Sequence, residues 1–318
     1  MPAKISVIMP TYNRAAILRE TLLDVAEQTW RPLEVVVVND GSTDNTEEVL
    51  AEMKPILEHR QVGARFVRQD NAGASAARNR AMREATGEYF AFLDDDDRWE
   101  HGKLEKQIQT MRQAGADSSA CLINNRGGTS TVPRRAEQLP QGECAAALMD
   151  REMAFHIISL VVEAGVARAN GEFDTSLRNG EDIEWMMRLA HRARFASIPE
   201  VLATYNDTPG SLSDGRSLER LVQQDEGPRR ALQLMHERCA DRPGWDEQAW
   251  RKRVAQDYDQ FVKHLLYVGD LKGARATFEE GMRLSQGADP LPRVKSKLRK
   301  ARWLALIGKR LQHPKLRA

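Results

Sequence analysis

Four carboxylates in a row, Asp94, Asp95, Asp96 and Asp97, follow an apolar run in the stretch "FAFLDDDDRW". Like charges this close repel, and gathering them lowers stability unless something positive stands among them. An isolated acidic run reads as a solvated turn. This one leaves "EYFAFL", a segment too apolar for a surface, so the carboxylates emerge from the buried middle of a sheet. Their oxygens suit Mg²⁺ or Mn²⁺, ions that keep waters and bind through one or two carboxylates plus substrate phosphates. The expected positive partner is a divalent cation carrying a nucleoside diphosphate.

A second acidic pair, Glu181 and Asp182 in "NGEDIEWMMRLA", opens a helical pattern that spaces Ile183, Met186, Met187 and Ala190 on one face. Alone, the pair reads as acids favouring a helix N-terminus. "NDGSTDNT" alone reads as a turn with a helix cap, and "NAGASAARN" as a loop and helix start. The patterns GxGxxG and GxxxxGK[ST] are absent, so dinucleotide and P-loop cradles have no support.

The elements that must position these groups alternate over the first 125 residues. "ISVIMP", "LEVVVVND", "ARFVRQ", "EYFAFLD" and "DSSACLIN" read as strands, with helices expected over 14–28, 44–57, 74–85 and 101–114. Near-continuous apolar strands argue a mostly parallel sheet flanked by helices, an α/β fold. In such a sheet ligands bind beyond the carboxyl ends of the strands, which is where "PTYNR", "NDGSTDNT", "QDNAGASAARN" and "DDDD" stand.

Further along, 124–138 reads as a loop, 141–152 as helical, "HIISLVV" as a strand, and "ARANGEFDTSLRNG" as a loop. "RFASIPEVLATYN" returns as extended structure. From about 216 the pattern turns helical, with "DQFVKHLLYVGDLKGARATFEEGMRL" as a helical hairpin. The expected domains are 1–215 and a helical C-terminal region over 216–318.

At 318 residues and 41 % hydrophobic content the chain holds a sizeable core. Its net charge of +1 conceals an asymmetry: residues 293–318 carry ten Lys/Arg and no Asp/Glu, leaving 37 basic against 46 acidic residues elsewhere. Cys121, Cys144 and Cys239 are too scattered for a disulfide framework or a CxxC metal site, and a reducing compartment is expected. "MPAKISVIMP" is too short for a signal peptide or membrane span, so the expected location is cytoplasmic, with membrane contact only at a surface on the inner face of the cell membrane.

Taken in order, "ISVIMPTYNRAAILRETLLDVAEQTW", "EVVVVNDGSTDNT", "NAGASAARNRAMREATGEYFAFLDDDDRW" and "NGEDIEWMMRLA" resemble the family 2 glycosyltransferases of the GT-A (Rossmann-like) fold, over roughly residues 4 to 213. The resemblance implies an inverting, nucleotide-sugar-dependent enzyme that uses Mn²⁺ or Mg²⁺, with UDP the commonest nucleotide and GDP or TDP as alternatives. Thr11 and Tyr12, flanked by Pro10 and Asn13, would line the nucleotide pocket, and Asp40 would accept a hydrogen bond from the base. Gly73 and Arg78, from the "NAGASAAR" stretch, would approach the nucleotide. Asp94 to Asp96 match the DXD element. By the family pattern Asp96 is the direct metal ligand, and Asp94 or Asp95 holds the ribose or a metal-bound water; Asp97 and Trp99 fit the usual continuation.

By the same resemblance Asp182 is the base that takes the acceptor's proton, and Glu181 positions it or the acceptor. Many relatives place a histidine shortly before "PGS", whereas this chain has Thr208 there, with Asp207 as the alternative ligand. The QxxRW motif of processive polymerases is absent, which implies a single-addition transferase. The expected acceptor is a glycan or lipid-linked sugar in cell-envelope synthesis, the latter if the basic tail meets a membrane. Two rivals remain. A sugar nucleotidyltransferase would carry a glycine-rich basic stretch after the first strand, where "PTYNRAAI" has one arginine and no glycine. A non-catalytic binding protein of this fold would be favoured by loss of Asp96 or Asp182, and both are present.

The tail, residues 293–318, spaces Leu298, Trp303, Leu304, Leu306, Ile307 and Leu311 along an apolar side among Lys and Arg. It reads either as an amphipathic helix for an anionic membrane surface or as a helix packing Trp303 on the acidic body of the same or a neighbouring subunit, as in a homodimer. Nucleic acid is not an expected partner, since the basic residues are confined to one end.

Overall fold

The computed structural model describes residues 2–126, 135–206 and 217–313. Three of the apolar runs form strands buried on both faces, whereas the edge strand Val62–Arg68 is mostly exposed or half-buried. In chain order these are β1 (Ile5–Thr11), α1 (Ala15–Ala26), β2 (Leu33–Asn39), α2 (Thr46–His59), β3 (Val62–Arg68), α3 (Ala74–Glu84) and β4 (Tyr89–Phe92). The four strands are parallel in the order β3-β2-β1-β4, and the register sets Thr11 beside Asn39 and Asn39 beside Arg68. Their carboxyl ends therefore finish in one line, and the polar segments that follow them share one edge of the sheet.

The next stretch runs β5 (Arg98–Trp99), α4 (Lys103–Ala114), β6 (Ser118–Ser119), β7 (Cys121–Arg126), β8 (Gln141–Gly142), α5 (Ala145–Met149), β9 (Val161–Glu163), α6 (Ala164–Asn170), α7 (Glu181–Ala190), β10 (Phe195–Ala196) and β11 (Ile198–Asn206). The large sheet continues β4-β9-β6-β10-β8, with β9 antiparallel to both neighbours, and β5-β11-β7 form a small second sheet.

Four sequence expectations change here. "DSSACLIN" is two strands in two sheets, because the chain swaps sheets at Ala120, whose N–H bonds Ser197 Oγ at 3.1 Å and whose carbonyl accepts from Ile198 at 2.8 Å. "HIISLVV" pairs only from Val161: Ser159 donates to the His156 carbonyl through both N–H and Oγ, closing a 3-10 turn over Ile157–Ser159. The helix expected over 141–152 shrinks to Ala145–Met149, since Gln141 and Gly142 pair with β10. The loop expected from Ala167 begins later, because α6 runs to Asn170 and stops at Gly171, whose φ of +83° favours glycine.

Two compact units emerge: Met1–Leu148 with Glu152–Thr208, and Met149–Arg151 with Pro209–Ala318. The boundary expected at 215 lies outside the described residues. The second unit contains α8 (Leu218–Gln224), α9 (Glu226–Cys239), α10 (Glu247–Val268), α11 (Leu271–Leu284) and α12 (Lys295–Leu306). The expected hairpin is present as α10 and α11, turned by Gly269 (φ +87°) and capped by Asp270, which accepts from Gly273 N at 2.8 Å. Cys121, Cys144 and Cys239 are buried, and none forms a disulfide. No helix among the described residues is long and apolar enough to cross a membrane.

Candidate active site

The loops after β1 and β2 are sewn together by short polar side chains. Asn13, at φ +52°, donates its N–H to Ser42 Oγ at 2.9 Å and accepts from Thr43 N at 2.8 Å. Asp44 caps α2 at Thr46 and accepts from Ala15 N at 3.1 Å, and these bonds draw its carboxyl below the ordinary range against a burial effect that raises it. Thr11 is buried, Pro10 half-buried and Tyr12 exposed.

Asp40, expected to meet a base, spends both oxygens on the protein. Oδ1 accepts from Gln69 Nε2 at 2.8 Å and Ala72 N at 2.9 Å, and Oδ2 from Gly73 N at 2.8 Å. It shapes the loop that leads into α3, and the φ of +90° at Gly73 sets the direction of that helix.

Arg78, on α3, joins the two acidic clusters. One guanidinium nitrogen reaches Asp94 Oδ1 at 2.7 Å and the other reaches Glu181 Oε1 at 2.8 Å. Burial weakens its hold on the proton, but the charges of Asp94 and Glu181 outweigh this, so it stays a cation. Arg14 lies 3.8 Å from Asp96 Oδ2. The positive groups among the aspartates are thus, first of all, two arginines.

Two arginines do not neutralise four aspartates, and the remaining like charges strengthen the hold of the run on its protons. Burial, reinforced by Asp96 and Asp94 and offset by Thr11, pushes Asp95 up to about 7. Burial and the charges of Asp94 and Asp96 push Asp97 well above the carboxylate range, although Asn206 N donates to it at 2.8 Å. One oxygen of each, Asp95 Oδ2 and Asp97 Oδ2, is buried without a partner. The backbone of the run is pinned from outside: Thr21 Oγ1 donates to the carbonyls of Asp95 (2.9 Å) and Asp97 (3.2 Å), and Asn206 Nδ2 to that of Asp96 (2.7 Å).

Gly180, at φ +76°, turns the chain into α7 so that its first turn presents Glu181 and Asp182. Glu181 is buried and tied to Arg78; burial and the neighbouring Asp182 push it up to about 7, with Arg78 acting against them. Asp182 is only half-buried, and Oδ1 accepts from the Ile183 N–H at 2.8 Å. Of the two acids, Asp182 is the one that a second molecule can reach.

Several residues here were not singled out in the sequence. Trp185 is fully buried, stacks on Phe173 (4.7 Å, 14°), meets Phe92 edge-on at 5.4 Å, and donates Nε1 to the Gly171 carbonyl at 2.7 Å. Phe92 is two residues before Asp94, so this aromatic wedge fixes α7 against the strand that carries the aspartates. Asn79 makes two bonds to the Phe173 backbone, at 2.8 and 2.9 Å, and locks α3 to the same wedge. The buried face of α7 differs from the expected one: Trp185 and Leu189 are wholly buried in it, while Ile183 is only half-buried. His156 feels the charges of Asp182 and Asp94, yet burial and Arg78 leave it a weaker base than usual; its ring lies 5.1 Å from Tyr205, and Nδ1 is buried without a partner. The signal for these residues is their distance in space, which spacing along the chain does not carry. Asp207 and Thr208 lie outside the described residues.

Among the described residues no three His, Cys, Asp or Glu side chains gather closely enough to hold a metal by themselves. The donors present are hard carboxylate oxygens, two of them buried and unpartnered. They fit a hard divalent cation that takes the rest of its shell from substrate oxygens and water.

Comparison with known proteins bears on this geometry. The sequence model of a family described as glycosyl transferase family 2 matches residues 6–161. A Bacillus subtilis (strain 168) protein, provisionally named as the teichuronic acid biosynthesis glycosyltransferase TuaG, is 39 % identical over 109 residues, which are 34 % of this chain and 42 % of that one. The chain thus spans less than half the length of this curated relative. Among solved structures, S. aureus TarS 1-349 in complex with UDP-GlcNAc superposes with a TM-score of 0.60 at 17 % identity, covering 96 % of this chain and 92 % of that one. The mannosyltransferase PcManGT from Pyrobaculum calidifontis, in complex with GDP-Man and Mn²⁺, gives 0.56 at 19 % identity, covering 96 % and 81 %. The fold is shared with these enzymes.

Proposed function

The segment 6–161 belongs to glycosyl transferase family 2, and from that premise we propose that the chain moves a sugar from a nucleoside diphosphate donor to an acceptor hydroxyl with inversion. The single observation that carries this is Arg78, which holds Asp94 at 2.7 Å and Glu181 at 2.8 Å and so sets the aspartate run beside the half-buried Asp182. The acceptor oxygen attacks the anomeric carbon from the face opposite the diphosphate. Asp182 takes the hydroxyl proton as the new C–O bond forms and the bond to the diphosphate breaks. Glu181, engaged by Arg78, orients the site.

Thr11, Tyr12 and Asn13 form the donor side with Arg78, and Asp40 holds the loop at Ala72 and Gly73 in place for the nucleotide. Asp96, with Asp94 or Asp95, would hold Mn²⁺ or Mg²⁺, which stabilises the charge on a departing diphosphate as a Lewis acid. The complexes of TarS with UDP-GlcNAc and of PcManGT with GDP-Man and Mn²⁺ support a nucleotide sugar as donor. UDP is our first assignment. The name carried by the Bacillus subtilis relative supports an envelope glycan or glycolipid as acceptor.

The test is a panel of UDP-, GDP- and TDP-sugars with Mn²⁺, read by thermal shift and by slow hydrolysis of the donor. One nucleotide series should raise the melting temperature and be hydrolysed, and chelator should abolish both effects. A panel with neither stabilisation nor turnover contradicts the assignment.

A further inference from the structure

The C-terminal helix α12 leaves most of its surface uncovered. Of its residues only Ala301 is buried, with Leu298 and Leu304 half-buried on either side of it. The apolar side expected from the sequence therefore divides in two. Leu298 and Leu304 face the unit, whereas at 3.6 residues per turn Trp303 and Leu306 fall on the opposite side. Trp303 is 60 %, Leu306 85 % and Ile307 49 % exposed. The other large exposed apolar residues among the described ones are far apart in the sequence: Tyr12 in the loop after β1, Ile56 on α2 and Val201 on β11.

Cations surround this ridge. Lys295, Arg299, Lys300 and Arg302 are exposed on the helix, and Lys309 and Arg310 are exposed just past it. No Asp or Glu follows Asp289 in the chain, and Asp289 pairs with Arg293 at 2.8 Å. None of the six cations has a carboxylate partner among the described residues. An occupant of this face must offer negative charge at its surface and an apolar interior just beneath.

We propose that α12 is a peripheral docking surface for an anionic lipid bilayer, with Trp303, Leu306 and Ile307 entering the headgroup–acyl boundary and the lysines and arginines resting on lipid phosphates. An indole ring amid aliphatic side chains suits that boundary, and juxtaposed cations add attraction to anionic headgroups. A second copy of the chain fits less well. A two-fold contact through this ridge would set the same cations against each other, which a bilayer of anionic headgroups does not. The inference stands on the helix alone and is independent of the catalytic assignment.

The experiment is co-sedimentation of the full chain with vesicles of phosphatidylglycerol and phosphatidylcholine, or of phosphatidylcholine alone, at low and high salt. Wild type should partition onto the anionic vesicles and weaken as salt rises. Trp303→Ser/Leu306→Ser should lower the partition coefficient at least ~10-fold, as expected for removing two inserted apolar side chains. Lys300→Glu/Arg302→Glu should remove most of the salt-sensitive part, and Trp303→Phe should retain binding. All these positions are exposed, so the melting temperature should not move. No binding by wild type, or equal binding by wild type and Trp303→Ser/Leu306→Ser, overturns the proposal. It is likewise overturned if those substitutions abolish a concentration-dependent dimer while vesicles recruit nothing, which would give the face to a second copy.

Discussion

Arg78 and Glu181 stand 103 positions apart in the chain and meet at 2.8 Å, both almost wholly buried. Replacing Arg78 by methionine keeps the bulk but leaves Glu181 and Asp94 without their cation. Breaking a buried pair from one side costs about 3–5 kcal/mol, because a charge is left uncompensated. Scanning calorimetry of Arg78→Met should show a clear fall in melting temperature, and adding Glu181→Gln should recover part of it. Two independent, additive losses would show that the pair does not act as a unit.

Trp185 wedges α7 against Phe92 and Phe173. Trp185→Ala should cost about 3–5 kcal/mol in urea unfolding, as for other large buried aromatics, and Trp185→Phe noticeably less. If the alanine variant keeps full stability, some other contact holds α7.

Much of this architecture is legible in the sequence because it is local. The parallel strands β1, β2 and β4 are near-continuous apolar runs, and three of the four helices expected among the strands start within two residues of the expected position, the fourth at the expected residue itself. Asp94 to Asp97 and the Glu181–Asp182 pair stand out as clustered carboxylates. What the sequence hides is pairing across distance. Trp185 looks like one apolar helix residue among several, and the bonds that Ala72 and Gly73 donate to Asp40 cannot be read from the spacing of the turn. The strand misreadings have the same origin: Ser159 closes a turn on His156, and Ser197 splits two strands, through bonds that apolar periodicity does not register.

Glu181 gives the protein a pH signature. Its carboxyl is raised from 4.5 to about 7 by burial and by Asp182, so the folded state holds that proton more tightly than the unfolded chain. The resulting stabilisation is full below about pH 4.5 and is lost as pH rises towards about 7. Compared with Glu181→Gln, wild type should therefore lose up to about 3 kcal/mol in urea unfolding between pH 4.5 and 8. A stability difference that stays constant over that range would place the proton elsewhere.

Asp96, 3.8 Å from Arg14, is the carboxylate assigned to a cation. Asp96→Ala should weaken nucleotide-sugar affinity measured by calorimetry with Mn²⁺ by at least ~10-fold, while affinity in chelator should change little, since only the cation-dependent part runs through this side chain. Unchanged affinity in Mn²⁺ would remove Asp96 from the assigned role.

The most direct measurement compares Asp182→Asn with wild type in donor binding and in turnover on the same nucleotide sugar. The amide keeps the shape of the half-buried side chain and cannot accept the proton of an attacking hydroxyl. Donor affinity should stay within a few-fold of wild type while turnover falls by at least ~10²-fold, the lower end for losing a general base. Normal turnover in Asp182→Asn would contradict the account and move the base to another group, Glu181 first.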